Sequence, residues 1–391
     1  MDHKLFLAAA SDLVYLSACA VNGAIPDAGR VSAMDLDAVY DVAERHMLSA
    51  VAAMALESAG RGDARSSAAI RKAMRRTACF EAEKAGVLQK LEEAGIWHMP
   101  LKGSVLKDLY PKISMRQMTD IDILIDPDRS EDVRHIMEEL GFVHDHGGTR
   151  IDDYRKEPVC SFEMHRTLFT ARKDGPLRDY YRDVGSRLLP DEGSRFGRHF
   201  SDEDFYLYMV AHEYHHYVNG GTGLRSLLDT YVYLTRKGDR LDRDAIDREL
   251  GKLGLRDFEA QMRGLALSLF CGEPLSDGDR EMLEYILDSG TFGTMENAVR
   301  YRVKAMGGSP SARLRYVFRR VFLPMEDVRS NYPFFYRHRV LLPALLVYRV
   351  GLALTSRRRK VLREIGVLQE NDLLEKEAAP KKNQNDGFDS E

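Results

Sequence analysis

Asp120-Ile121-Asp122-Ile123-Leu124-Ile125 is the stretch on which the reading of this chain turns. β-Branched residues dominate it and Pro127 stops it, which predicts a strand. Side chains alternate across a strand, so Asp120 and Asp122 leave one face while Ile121 and Ile123 leave the other. Two carboxylates held side by side, each beside an isoleucine that favours burial, repel unless something positive lies between them. A divalent cation with oxygen ligands meets that need, and Mg²⁺ usually completes its shell with water and substrate phosphates.

Downstream, Val133, Ile136, Met137 and Leu140 at i, i+3, i+4 and i+7 predict a helix closed by Gly141. Strands are expected at Phe142 to Asp145, around Ile151 to Lys156 and around Val159 to Arg166, with Gly147-Gly148 as a turn. Upstream, Ile96 to Leu101 reads as a strand, with Pro100 suited to an edge or a strand end, and Gly103 to Tyr110 as a short helix. Together these give a small mixed sheet. Residues 1–94 lack alternation and place Phe80, Val87, Leu88 and Leu91 near one helical face, and from about Ser201 to about residue 365 the period is helical again. The expected class is therefore α+β: a helical region at 1–94, a core at 95–200, a helical domain at 201–365 and a disordered, charged tail at 366–391.

Two further features bear on chemistry. Lys102-Gly103-Ser104 lies where a strand gives way to a helix, so a small residue permits close approach and the free amides of the helix start can cradle an anion. Glu163 is the candidate for the third carboxylate that two metals flanking a phosphate require. Cys160, Phe162 and Met164 form the apolar face of its strand, which leaves Glu163 and His165 together on the other.

The chain has 391 residues, enough for two or three domains and a substantial core. Cys19, Cys79, Cys160 and Cys271 are too few and too scattered for a disulfide framework or a CxxC metal knuckle, so reduced thiols in a cytoplasmic protein are expected. Leu16-Ser17-Ala18-Cys19 looks like a lipoprotein cleavage box, but Asp2 and Asp12 oppose insertion, and an N-terminal amphipathic helix is expected instead. No stretch reads as a transmembrane segment; Val340 to Leu354 is too short and carries Pro343 and Arg349.

The formal charge of −4 is a sum of unlike parts. Ser311 to Lys360 holds twelve Lys+Arg against Glu326 and Asp327, a local +10, leaving −14 for the remainder. A solvated face paired with the acidic remainder, a wall of a triphosphate cleft, a docking surface for an anionic acceptor, and a helix resting on anionic lipid at the membrane periphery all fit that segment.

Lys102-Gly103-Ser104, then Arg116-x-x-x-Asp120-Ile121-Asp122, then Gly141-Phe142 and Phe162-Glu163-Met164-His165 together resemble the bacterial uncharacterised nucleotidyltransferase family of the DNA polymerase β superfamily. His212-x-x-x-His216, Leu224 to Asp229 and Leu342-Pro343 to Arg349 fit that family's helical second half. Lys102 departs from the superfamily signature, which is apolar there, and the fifteen residues between Ser104 and Asp120 exceed its typical spacing. The resemblance implies a polymerase-β-like nucleotidyltransferase core flanked by helical regions. It implies Mg²⁺ (or Mn²⁺) held by Asp120, Asp122 and Glu163, with Gly103 and Ser104 on the β and γ phosphates. Lys102 and Arg116 would offset phosphate charge or pair with carboxylates. The implied reaction moves a nucleoside monophosphate from an NTP donor, ATP being only the commonest, to an acceptor hydroxyl of a small molecule, sugar or protein. Glu163 or the metal site would supply the base. A catalytically inactive nucleotide- or partner-binding scaffold is the alternative.

His212-Glu213-Tyr214-His215-His216 also matches HExxH, the zinc-hydrolase arrangement of two histidines on one helical face with a glutamate base. A metzincin would continue with Gly at 219 and His at 222, where this chain has Asn219 and Thr222, and no pattern surrounds Glu249 as a third ligand. Zinc is accordingly disfavoured, and His212 and His216, with His165, are read as lining the cleft or packing.

Overall fold

The Asp63 side chain accepts from the Ser66 amide while Ser66 Oγ accepts from the Asp63 amide, a reciprocal cap that starts the longest helix among the described residues. This helix, α5 (Ala64–Glu93), follows α1 (His3–Asn22), α2 (Ala28–Ser32), α3 (Leu36–Arg45) and α4 (Ser49–Ser58). It ends at Gly95, whose φ of +69° suits glycine and whose missing Cβ would lie 3.3 Å from the Phe196 ring. The structure, a computed structural model, describes residues 1–355 and 366 except 149, 308, 309, 324, 326, 327, 330 and 331. The tail expected beyond 366, the Arg357 to Lys360 cluster, Glu326 and Asp327 lie outside the described residues.

The sheet comprises β1 (His98–Pro100), β2 (Ile121–Ile125), β3 (Val143–Gly147), β4 (Ile151–Lys156) and β5 (Cys160–His165) in the order β1-β2-β5-β4-β3. β2 and β5 run parallel, and the other pairs are antiparallel. Pro100 closes an edge strand, where its missing amide costs no ladder bond. α6 (Lys102–Leu106) precedes β2, and α7 (Ser130–Glu139) separates β2 from β3. The chain is thus α+β with a small mixed sheet. Asp120 falls one residue before its strand.

Ile121, Ile123 and Ile125 with Phe162 and Met164 form the buried face, covered by Phe80, Val87 and Leu91 of α5 and by Val133 and Met137 of α7. Cys79 of α5 and Cys160 of β5 meet with their sulfurs 3.1 Å apart, and all four cysteines are free thiols. The opposite face carries Asp122, Glu163 and His165.

After β5 come α8 (Ala171–Tyr180), a two-stranded ribbon of β6 (Leu189–Pro190) and β7 (Arg198–His199), then α9 (Asp202–Asn219), α10 (Leu224–Lys237), α11 (Arg243–Leu253), α12 (Arg256–Cys271) and α13 (Asp277–Ser289). The N-terminal helices share a core with α10, α12 and α13. α1 is long and apolar enough to cross a membrane by length and composition, although Asp12 and the flanking charge pointed to an amphipathic helix. Ala9, Ala10, Leu13 and Leu16 of this helix are buried in that shared core.

The chain divides into two compact units, Met1–Tyr217 with Gly221–Phe292, and Val218–Gly220 with Gly293–Glu391. The second holds α14 (Met295–Ala305), α15 (Pro310–Val321), a short turn of helix at Pro333–Arg337, and α16 (Leu342–Leu354).

Phe162 is fully buried and meets Phe142 edge-on at 5.0 Å between ring centroids. Phe162→Ala should destabilise the protein by about 3–5 kcal/mol, through lost apolar transfer and the cavity left behind. The check is a urea titration, in which the midpoint should fall with little change in slope.

Candidate active site

Strand register decides what meets on the polar face. Asp122 pairs with Glu163 across β2 and β5, and Glu163 pairs with Asp153 across β5 and β4, so three carboxylates stand in one row over three neighbouring strands. Like charges directly opposite each other weaken a sheet. Asp120 adds a fourth carboxylate to the same cleft. Burial and the charges of Asp122 and Glu163 push its carboxyl up to about 7.

His165 answers part of that charge. Its Nε2 lies 2.9 Å from Asp122 Oδ1 and 3.5 Å from Glu163 Oε2. Burial alone would lower the imidazole, but the hydrogen bonds to Asp122 and Glu163 outweigh it and raise it to about 8. Burial works against ionisation of Asp122, yet the hydrogen bond and charge of His165 hold it below the usual carboxylate range. The ligand atoms of Asp122, Glu163 and His165 lie within 4.8 Å of one another, a set that could hold a metal ion. Its oxygen-rich chemistry, with one imidazole and excess negative charge, fits Mg²⁺ or Mn²⁺.

Cations form the facing wall. The Leu101 amide donates to the Asp122 carbonyl at 2.9 Å, which fixes the turn into α6 against the acidic strand. Gly103 follows. A Cβ there would sit 2.9 Å from both Arg116 Nη1 and Met118 Sδ, so only glycine fits without displacing them. Lys102 is buried in an ion pair with Glu213 of α9, and its Nζ lies 3.3 Å from His212 Nδ1. Burial draws this ammonium down to about 7, against the attraction of Asp229 and Asp122.

Arg116 makes a two-pronged contact with Asp229 of α10, Nε to Oδ1 at 2.9 Å and Nη2 to Oδ2 at 2.8 Å, while Tyr110 Oη donates to the same carboxylate at 2.7 Å. Arg225, one helical turn before Asp229, donates to the Gln117 carbonyl at 2.8 Å, and Arg150 donates to the Leu168 carbonyl at 3.1 Å. Burial and the neighbouring Arg116 lower Arg225 to about 10, leaving it charged at neutral pH.

These groups line one cleft of about 450 Å³, within the range of about 300–1,000 Å³ usual for small-molecule sites. Of the residues expected at the site, Lys102, Gly103, Arg116, Asp120, Asp122, Glu163, His165, His212 and His216 line it. Ser104 does not; it is buried, and its Oγ has no hydrogen-bond partner. Arg116 is the carboxylate partner that the sequence held open beside its phosphate role. The HExxH glutamate is engaged by Lys102 and by Thr222 Oγ1, which donates at 2.9 Å, an arrangement that leaves no free base between the histidines. Burial, together with the Lys102 charge, lowers both His212 and His216.

Sequence reasoning missed Arg150, Asp153 and Arg225 as cleft residues and Asp229 as the partner of Arg116. Asp153 carried a signal in the alternation of Ile151, Asp153 and Arg155 against buried Tyr154. Arg225 and Asp229 carried another, as the two charged residues, opposite in sign and four apart, of the buried stretch Leu224 to Leu234.

Residues 32–271, more than half of the chain, match the family model described as "Uncharacterised nucleotidyltransferase". No curated protein and no solved structure matches the chain.

The raised Asp120 and His165 act in the same direction on stability. Asp120 keeps a proton in the folded state that the unfolded chain loses near pH 4, so stability falls as the pH climbs towards about 7. The His165 contribution is present below about pH 6.5 and is lost as the pH passes about 8. These two groups therefore contribute a downward slope to the melting temperature of the metal-free protein from about pH 4 to about pH 8, opposed by His212 and His216, whose burial as neutral rings costs less as the pH rises through the ordinary histidine range. Asp120→Asn should flatten the lower part of that slope in calorimetric scans.

Proposed function

Because the chain belongs to the uncharacterised nucleotidyltransferase family, we propose that it transfers a nucleoside monophosphate from an NTP to an acceptor hydroxyl, releasing pyrophosphate. The observation that carries this reading is the row of Asp122 and Glu163, with Asp120 beside it, facing a wall of buried cations across one cleft. Asp120, Asp122 and Glu163 would hold Mg²⁺ or Mn²⁺, which when bound supplies charge stabilisation at the attacking and leaving oxygens. In the polymerase β superfamily reading, the turn at Gly103 lies beside the triphosphate, and Arg225 and Arg150 attract its negative charge. Lys102 and Arg116, bound to Glu213 and Asp229, set the field of the wall from behind. Glu163 takes the proton as the acceptor oxygen forms its bond to the α-phosphorus and the bond to pyrophosphate breaks.

We assign the acceptor to a second cavity of about 420 Å³ that shares Thr119, Asp120, Asp153 and Glu163 with the cleft and adds Arg155, Lys156 and Ser161. Donor and acceptor would then meet over the same carboxylates from opposite ends of the sheet face. Phe292, 78% exposed at the cleft, offers a surface on which a nucleobase can stack.

The deciding experiment incubates the protein and cell lysate with each labelled NTP and Mg²⁺ or Mn²⁺, and asks which molecules acquire label. Asp122→Asn should remove turnover by more than the roughly 10–100-fold typical of changes outside the ligand shell, with folding intact by circular dichroism. Undiminished labelling by that variant defeats the assignment, and nucleotide binding without pyrophosphate release favours the scaffold alternative. Phe292→Ala should raise KM for the NTP by roughly 5–150-fold, from about 1–3 kcal/mol of stacking, with kcat little changed in steady-state kinetics.

A further inference from the structure

Leu314, Val317, Phe318, Val321 and Phe322 fall at i, i+3, i+4, i+7 and i+8 along and just beyond α15. In a globular protein such a stripe ordinarily faces a core. Here it faces outward: Leu314 is 73%, Phe318 62% and Phe322 50% exposed, and Val317 and Val321 are exposed beside them. The inward contact of α15 is made by Tyr316 instead, which joins Val299 and Val303 of α14. The rings of Phe318 and Phe322 lie 4.6 Å apart, so the exposed stripe is locally continuous. Arg349 of α16 donates to the Val321 carbonyl at 2.6 Å and brings a second apolar helix to the end of the first. α16 exposes Val347 at 73%, together with Tyr348 and Val350. Apolar surface of this extent marks an interaction site.

Charge selects the occupant. The segment from Ser311 to Lys360 carries +10 by sequence, and Arg315, Arg337 and Arg339 are exposed within it. A second copy docked face to face would set these arginines against their equivalents, like charge on like. Basic residues bracketing an exposed apolar stripe suit the boundary of an anionic bilayer, where the stripe enters the acyl region and the cations meet lipid phosphates.

We propose that α15 and α16 form an interfacial surface that docks this protein on anionic lipid. The inference stands on the second unit alone and is independent of nucleotidyl transfer.

The test sediments the full chain with vesicles of phosphatidylcholine, and of phosphatidylcholine mixed with phosphatidylglycerol. Binding should be at least about 10-fold stronger to the anionic vesicles, since each basic residue near the surface contributes about 1 kcal/mol, and should weaken as salt is raised. Phe318→Glu combined with Phe322→Glu should abolish it while leaving the melting temperature unchanged, because both side chains are exposed. Equal affinity for both vesicles, no sedimentation at low salt, or full retention by the double variant each overturns the proposal. Hydrogen exchange adds an independent arm: residues 314–322 should gain protection only when anionic vesicles are present. Protection without lipid, together with a concentration-dependent mass that the double variant lowers, would give the face to a second copy and overturn the proposal as well.

Discussion

The alignment of Asp122, Glu163 and Asp153 across three strands is the constraint around which the first unit is organised. The buried face leaves no freedom to relieve it. Shifting β5 by one residue would separate Glu163 from Asp122, but would also turn Phe162 and Met164 out of the core. Hydrophobic packing on one side of the sheet therefore enforces electrostatic crowding on the other. The protein offsets that crowding in layers, with His165 in contact with the row and Lys102, Arg116 and Arg225 behind it. Asp229 and Glu213 in turn neutralise two of those cations, and without them the wall would be as strained as the row.

Much of this was legible in the sequence, and the division follows the range of the interactions. The period-2 pattern at 120–125 and at 160–165 is local, so it identified the strands, their buried faces and the pairs Asp120 with Asp122 and Glu163 with His165, whereas joining the two pairs in one site rested on the family resemblance. Lys102 and Arg116 were recognisable as residue types suited to phosphate. Their partners were not, since Glu213 and Asp229 lie more than a hundred residues away and are set by how α9 and α10 pack on the turn into α6. Asp153 illustrates a subtler limit. Its own strand pattern was visible, but only the pairing of β4 with β5 sets it beside Glu163. HExxH shows the converse, because a local match gave Glu213 a role that its tertiary partner Lys102 does not allow.

The second unit breaks the patterning rule that the first obeys. In α7, Val133 and Met137 turn into a core, while the equivalent apolar stripe of α15 turns away from one. The same hydrophobic period thus appears in both helices with opposite orientation, and only the three-dimensional structure distinguishes them.

The fork between Arg116 and Asp229 also has a consequence in time. The last residue of the acidic row's strands is His165, and Asp229 leaves the ribosome about sixty residues later, on the order of 3–12 s at synthesis rates of ~5–20 residues per second. For that interval the strands can pair before the helices that supply Glu213 and Asp229 exist. In a nascent sheet Lys102 and Arg116 would then lack the acids that neutralise them, and their charge would be left to the carboxylates of the row and to water. The order of residues along the chain, with the carboxylate row, Lys102 and Arg116 first and Glu213, Arg225 and Asp229 last, makes completion of α10 the event that closes the site.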